Sequence, residues 1–346
     1  MKKRPLGRTG LMVSEICLGS MTWGSQNDQA EADRQLDAAL DAGVNFIDTA
    51  EMYPTTPMKA ETVGRTEEII GDWLSRSGKR DGLVLATKIT GKGGMARDGA
   101  AIDADNLERA VEASLKRLRV ETIDLYQLHW PNRGSYHFRQ AFDYDPSGRD
   151  NAAVLDDMEA TLEALGRLVE AGKIAHVGLS NDTAWGTAKF LELAERRGLP
   201  RVASLQNEYS LLCRTFDLDL AELSVHEDVG LLAWSPLAAG LLTGKYAGGI
   251  VPPGSRASIR SDLGGRFTPH VLAVTDGYVA LAREHGLDPA QMAIAFCLTR
   301  PFVTAAIIGA TSMEQLTVDL GACDLVLPPE VMAGIADLHR RAPMPM

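Results

Sequence analysis

The chain has 346 residues, 45% of them hydrophobic and 23% charged, with four cysteines and a formal net charge of −11. That length allows two average domains or one large one, and the apolar share is enough for a substantial core. The acidic balance excludes a duplex-binding surface, which needs a lysine and arginine excess, but not an anionic cofactor, which needs only a few local cations.

Met1-Lys2-Lys3-Arg4 resembles the basic start of a signal peptide, but Pro5, Gly7, Arg8 and Gly10 stand where its apolar run belongs. No later stretch is long and apolar enough to span a bilayer. The expectation is a soluble cytoplasmic protein with neither nucleic acid nor membrane as partner. Residues 3–13, centred on Thr9-Gly10, read as a β-hairpin. Short apolar runs follow at 15–19, 44–48, 82–88, 122–129, 173–180, 202–207, 230–235 and 303–309. Between them lie helical patterns at 30–42, 66–76, 106–119, 155–171, 183–197, 216–228 and 313–321. In the third of these, Leu107, Ala110, Val111, Leu115 and Leu118 recur at helical spacing while Glu108, Arg109, Glu112, Lys116 and Arg117 cover the other side. Several helices stop at glycine, as at Gly43, Gly172 and Gly198. Cys17, Cys213, Cys297 and Cys323 are far apart, form no CxxC pair and sit in apolar contexts, so they read as small buried residues of a reducing compartment.

Strands alternating with helices imply parallel pairing through right-handed crossovers, and the number of strands fits a closed (β/α)8 TIM barrel of one domain, 1–346. A doubly wound open sheet is the competitor. It lacks the GxGxxG fingerprint after its first strand, since Gly19-Ser20-Met21-Thr22-Trp23-Gly24 has the wrong spacing. Three segments exceed the bare repeat: the hairpin, a polar and aromatic insertion at 131–150, and a long loop at 236–268 followed by two helical segments at 270–285 and 289–299. The barrel therefore carries long loops at its C-terminal face, where loops of this length are often functional. Gly91-Lys92-Gly93-Gly94 lacks the second half of a P-loop and reads as a flexible connection.

Active sites of this fold lie at the C-terminal ends of the strands. The polar residues at those ends are Asp48, Lys88, His129, Ser180-Asn181, Gln206-Asn207, Trp234-Ser235 and Gly309-Ala310-Thr311, all converging on one mouth. Taken singly, Asp48 reads as a turn former, Lys88 as solvated, His129 as hydrogen-bonded structure and Tyr53 as loop packing. Taken together, after three consecutive strands, they compose a proton-delivery set. A tyrosine hydroxyl can protonate the alkoxide that forms when hydride reaches a carbonyl. Free tyrosine titrates near about 10, and an adjacent lysine cation favours phenolate and lowers that value. Asp48 supplies the counter-charge that a buried Lys88 needs, and a neutral His129 can donate to the carbonyl oxygen and fix its direction. Such a set lacks only a hydride, which a cofactor must bring.

These residues resemble the aldo-keto reductase family. The resemblance runs nearly the whole length, through Phe46-Ile47-Asp48-Thr49-Ala50-Glu51-Met52-Tyr53, Leu85-Ala86-Thr87-Lys88, Ile123-Asp124-Leu125-Tyr126-Gln127-Leu128-His129-Trp130-Pro131 and Val177-Gly178-Leu179-Ser180-Asn181, then Gln206-Asn207-Glu208-Tyr209, Trp234-Ser235-Pro236-Leu237 and Leu242-Thr243-Gly244-Lys245-Tyr246. Within the family it is most similar to the bacterial Tas-like branch, through Ala50-Glu51-Met52-Tyr53-Pro54, and is related to the potassium-channel β subunits.

The resemblance implies a (β/α)8 barrel that binds NADPH across its mouth and reduces an aldehyde or ketone. It assigns Asp48, Tyr53, Lys88 and His129 to the catalytic tetrad, with Tyr53 as the acid. Ser180, Asn181 and Gln206 would hold the nicotinamide carboxamide, and Trp234 would stack on the ring, although it also reads as core. Ser235, Leu237, Gly240 and Lys245 would form the pyrophosphate loop. Arg256 would meet the adenosine end and its 2′-phosphate, although Arg256 and Arg260 also read as solubility charges. Gly309, Thr311 and Gln315 would cradle the adenosine, although Ser312 and Gln315 are spaced as a capping box.

One departure stands out. Where relatives often carry glutamate and asparagine for the adenine, this chain has Val318 and Asp319, and a carboxylate near the 2′-phosphate weakens the preference for NADPH over NADH. Two other functions compete with the reductase: a slow NADP(H)-binding redox sensor, and a metal-dependent hydrolase using Asp48 and His129, which needs further strand-end histidines that the sequence does not offer. Trp23, Met52, Trp130, Tyr136, His137 and Phe138 are the candidates for an apolar substrate wall. The physiological carbonyl, the oligomeric state and the role of the C-terminal tail are not legible.

Overall fold

The computed structural model describes residues 1–346. A two-stranded antiparallel hairpin, β1 (Lys3–Pro5) and β2 (Met12–Ser14), precedes the barrel. Eight parallel strands follow: β3 (Ile16–Gly19), β4 (Phe46–Asp48), β5 (Val84–Ile89), β6 (Ile123–Leu128), β7 (Ile174–Ser180), β8 (Val202–Glu208), β9 (Gly230–Trp234) and β10 (Val303–Ile308). The last strand, β10, pairs with both β3 and β9, Ile307 lying opposite Cys17 on one side and Trp234 on the other. The sheet is therefore a closed (β/α)8 barrel. Every expected strand is present, with ends displaced by a residue or two.

The surrounding helices are α1 (Gln29–Asp41), α2 (Arg65–Ser77), α3 (Ala104–Leu118), α4 (Asn151–Glu170), α5 (Ala184–Arg197), α6 (Asp219–Glu227), α7 (Arg256–Ile259), α8 (Pro269–Glu284), α9 (Pro289–Leu298), α10 (Met313–Leu320) and α11 (Pro329–Arg341). Their starts are chemically defined: Asp28, Asp103, Asp150, Thr183, Asp288 and Ser312 each accept from N–H groups of the first turn. α3 buries Leu107, Ala110, Val111, Leu115 and Leu118, the face its periodicity predicts.

Two helices were not expected. The short α7 interrupts the long loop, and α11 packs against α8, where a Cβ on Gly334 would come within 2.7 Å of Leu281 and one on Gly277 within 3.1 Å of Leu338. The C-terminal segment thus lies along the flank of the barrel, and only small residues at the crossing permit that approach. No helix is long and apolar enough to cross a membrane.

Strand periodicity decides which side chains enter the barrel. Phe46, Val84, Ala86, Leu125, Leu232, Ala305 and Ile307 form an inner cluster, whereas their neighbours Ile47, Leu85, Tyr126, Leu231 and Ala306 pack outward against the helices. Side chains alternate along a strand. Two residues beyond an inward Phe46, Ala86, Leu125 or Leu232, the chain again points inward, at Asp48, Lys88, Gln127 and Trp234. The barrel's upper layer is polar for this reason.

Candidate active site

Lys88 is fully buried, and its Nζ lies 2.7 Å from Asp48 Oδ2 and donates to the Thr49 carbonyl at 2.7 Å. The other Asp48 oxygen accepts from Gln127 at 3.2 Å and from Gln206 at 2.8 Å. Both charges are thereby satisfied without water, the condition for holding an ion pair in a barrel interior. The Lys88 ammonium also sits 5.0 Å from the centre of the Tyr53 ring, and that ring meets His129 edge to face with centroids 5.9 Å apart. Asp48, Tyr53, Lys88 and His129 thus come together at three adjacent strand exits.

The electrostatics depart from the sequence expectation at one point. Burial raises the Tyr53 hydroxyl above its ordinary value of 10.0, and the lowering by Lys88 does not overcome it, because Asp48 beside Lys88 acts in the opposite sense. A cation already paired with a carboxylate has less field left for a third group. Tyr53 is consequently a protonated phenol at neutral pH. Lys88 is held down by burial but raised on balance by Asp48 and Tyr53, so it remains a cation. Burial, then Lys88, depress His129 well below 6.5, which leaves it neutral, and its Nδ1 is buried without a hydrogen-bond partner.

The residues expected around the cofactor continue the same network. Gln206 donates to Asp48, Ser180 Oγ donates to the Gln206 carbonyl at 2.7 Å, and Asn181 donates to the His129 carbonyl at 2.9 Å. The Trp234 indole donates to Asn181 Oδ1 at 3.2 Å. Beyond β9 the backbone turns sharply. Ser235, Ala238, Ala239 and Gly240 all have positive φ, and a Cβ at Gly240 would lie 2.8 Å from Lys245 Cε. This run of positive φ values is held from within, the Ala238 N–H donating to the Ser235 carbonyl at 2.8 Å and the Gly240 N–H to the Leu237 carbonyl at 2.9 Å. Non-glycine residues rarely adopt such φ values, and those that do cluster at functional sites.

Arg256 has no carboxylate partner. Its only side-chain hydrogen bond is to Met21 Sδ at 3.9 Å, and burial, then Arg266 and Arg260, push it down to about 10. A cradle closed by Gly240 and an unpaired, partly buried arginine fit the phosphates of a dinucleotide. At the last junction, Ser312 Oγ accepts from the Gln315 N–H at 3.3 Å and caps α10, while Gln315 Oε1 accepts from the N–H of Thr311 at 3.0 Å, one residue before the cap, so only the Ser312 half of the capping box is realised. Gly309 is open: a Cβ there would meet nothing nearer than the Gly19 carbonyl at 3.8 Å.

The family model for the aldo/keto reductases matches residues 15–340. The chain belongs to the aldo/keto reductase family. It is 43% identical to protein tas of Escherichia coli (strain K12) over 98% of both chains. It is 34% identical to the uncharacterized oxidoreductase YrpG of Bacillus subtilis (strain 168), covering 96% of this chain and 94% of that one. A probable voltage-gated potassium channel subunit beta of Oryza sativa subsp. japonica is 31% identical over 99% of this chain and 98% of its own. These similarities agree with the expected Tas-like branch and its relation to the channel subunits. The chain is thus an oxidoreductase of a family that reduces carbonyl groups with nicotinamide cofactors.

In this aldo/keto reductase three expectations are corrected. Trp23 is not part of a substrate wall: it is fully buried, donating to Gln35 at 3.0 Å. His137 is likewise structural, held between the Asp182 carbonyl at 3.0 Å and Asn207 at 3.2 Å. The segment at Gly91–Gly94 is anchored, not loose, because Trp130 donates to the Lys92 carbonyl at 3.1 Å and Glu51 accepts from both the Thr90 N–H and Arg97. Trp130 and Phe138 do meet at the mouth, with rings 5.9 Å apart edge to face, and Phe138 stacks on Trp234 at 6.0 Å.

Sequence reasoning missed Gln127, Glu51, Asp182 and Glu208. Inward alternation from Leu125 would have found the first. The other three are carboxylates at or just beyond strand ends that tie down loops, and their arginine partners are distant in sequence. No three or more His, Cys, Asp or Glu side chains form a ligand cluster, so the hydrolase reading gains no ligand set.

Asp319 is 3% exposed and is pushed up to about 7 by burial, then by Asp288, with Lys245 pulling the other way. A carboxyl raised in the folded state stabilises the fold fully below its unfolded value, near 3.8, and that contribution is lost as pH rises to about 7. Asp319→Asn, neutral throughout, should match the wild type at pH 4 and exceed it by about 2–4 kcal/mol above pH 7. Denaturant unfolding at the two pH values checks this, and an equal difference at both would sink it.

Proposed function

We propose that the protein reduces an aldehyde or ketone to an alcohol with NADPH, Tyr53 giving the proton. The observation that carries this reading is the buried Lys88–Asp48 pair at 2.7 Å with Lys88 against the Tyr53 ring, beside a neutral His129. The nicotinamide supplies the hydride when bound. Tyr53 holds its proton until charge develops on the carbonyl oxygen. Lys88 then stabilises the phenolate as it forms, and its field costs no reorganisation because Asp48 and Thr49 already fix it. His129, uncharged, orients the carbonyl by donating a hydrogen bond.

Ser180, Asn181 and Gln206 would hold the carboxamide and Trp234 the ring. Ser235, Leu237, Gly240, Lys245 and Arg256 would take the phosphates, and Gly309, Thr311, Gln315 and Asp319 the adenosine. The unpaired Arg256 supports NADPH over NADH, and a carboxyl near neutrality at Asp319 repels the 2′-phosphate less than an ordinary aspartate would. The substrate is a small carbonyl compound.

Mixing enzyme–NADPH with 4-nitrobenzaldehyde in a single turnover should oxidise the cofactor within seconds, with NADH binding more weakly. Tight NADPH binding with no oxidation would instead favour a slow NADP(H)-binding redox sensor.

A further inference from the structure

Glu208 ends β8, is 5% exposed and takes no part in the proton-delivery set. Its two oxygens are divided between two loops. Oε1 accepts from Nε of Arg266 at 3.0 Å and from the same guanidinium's Nη2, and Oε2 accepts from Nη1 of Arg139 at 3.1 Å. Arg139 belongs to the insertion after β6, and Arg266 to the long loop after β9. The loops touch there, since Cβ atoms on Gly264 and Gly265 would come within 3.3 and 3.4 Å of the Arg139 side chain.

Each arginine is also fixed to the mouth. Arg266 lies 5.9 Å from the Trp234 ring and donates to the Leu263 carbonyl at 2.9 Å. Arg139 follows Phe138, which stacks on the same tryptophan, and both have positive φ. Two guanidinium groups this close repel each other, and burial, then Arg266, disfavour the charge on Arg139. The carboxylate between them converts that repulsion into a three-member bridge. Without Glu208 the contact between the loops becomes unfavourable, and without the Arg139 side chain the turn at Gly264 and Gly265 loses the group it packs against.

We propose that Glu208 is a positioning residue that couples order in the substrate-side insertion to order in the cofactor-side loop. Only the naming of those two sides rests on the proposed function; the coupling does not. Hydrogen exchange on the cofactor-free, full-length protein tests it. Arg139→Ala should deprotect amides at 260–268 as well as those around 135–140, and Arg266→Ala should deprotect the insertion in return, by a comparable factor of about 5–150. Glu208→Gln should deprotect both, and Arg139→Lys should restore much of the protection. Deprotection confined, in both alanine variants, to the loop that carries the substitution would overturn the proposal, and this comparison stands even if Glu208→Gln does not fold.

A second readout is NADPH release. Arg139→Ala, on the insertion, should speed it by a similar factor. If the wild type binds no NADPH, the cofactor assignment fails while hydrogen exchange still decides the coupling. If NADPH binds and its release is unchanged in Arg139→Ala, the extension of the coupling to the cofactor is overturned.

Discussion

Replacing Tyr53 by phenylalanine is expected to slow carbonyl reduction by roughly a hundred- to ten-thousand-fold, the usual contribution of a positioned general acid. The aromatic ring would stay where it is, because Tyr53 packs against the small cluster of Ala50, Met52 and Ala96, and phenylalanine keeps those contacts. Cofactor affinity and unfolding midpoint should therefore match the wild type, which separates loss of a proton from loss of a site. The wild-type rate has a predicted pH signature as well. With the Tyr53 hydroxyl above its ordinary value and His129 far below its own, neither group changes charge near neutrality. Reduction should then be flat across neutral pH, with the basic limb lying above about 10. A phenylalanine variant within a few-fold of wild type under single-turnover conditions would refute the assignment, and a limb near pH 7 that vanishes in that variant would refute the electrostatics.

The second large effect concerns stability. Lys88 and Asp48 are both buried and satisfy each other. Lys88→Met leaves the carboxylate facing only Gln127 and Gln206, neutral donors, and should destabilise the fold by about 3–5 kcal/mol. Asp48→Asn leaves the ammonium without its counter-ion and should act in the same direction. The double variant Asp48→Asn/Lys88→Met buries no charge and should be more stable than either single variant, while remaining inactive. Guanidinium unfolding of the four proteins gives the coupling directly. Additive losses would mean that the pair is not the electrostatic unit described, and an unaffected Lys88→Met would mean that the ammonium is solvated.

Much of this was legible in the chain because periodicity survives folding. The apolar runs, the helix stops at Gly43, Gly172 and Gly198, and the placement of Asp48, Lys88 and His129 at or near strand ends depend on local rules of backbone geometry. Their alternation with Phe46, Ala86 and Leu125 even says which way they point. The helix α11 is amphipathic, with Val331 and Ile335 buried one turn apart, so its pattern was legible although no helix was expected there. Trp23 and His137 were misread because an aromatic near a strand end looks the same whether it faces the mouth or the core, and only the partners Gln35 and Asp182 distinguish the two.

By itself the sequence determined the barrel, the mouth and the placement of Asp48, Lys88 and His129 there, since each follows from strand order and a period of two, whereas Tyr53, on the loop after β4, followed from the chemistry those three leave incomplete. Only the tertiary structure decided the sign of the Tyr53 shift, which is a contest between desolvation and a Lys88 charge already matched by Asp48. The same holds for the bridge at Glu208. Its arginines are 69 residues before it and 58 after it, and no local pattern encodes that two loops so far apart will share one carboxylate.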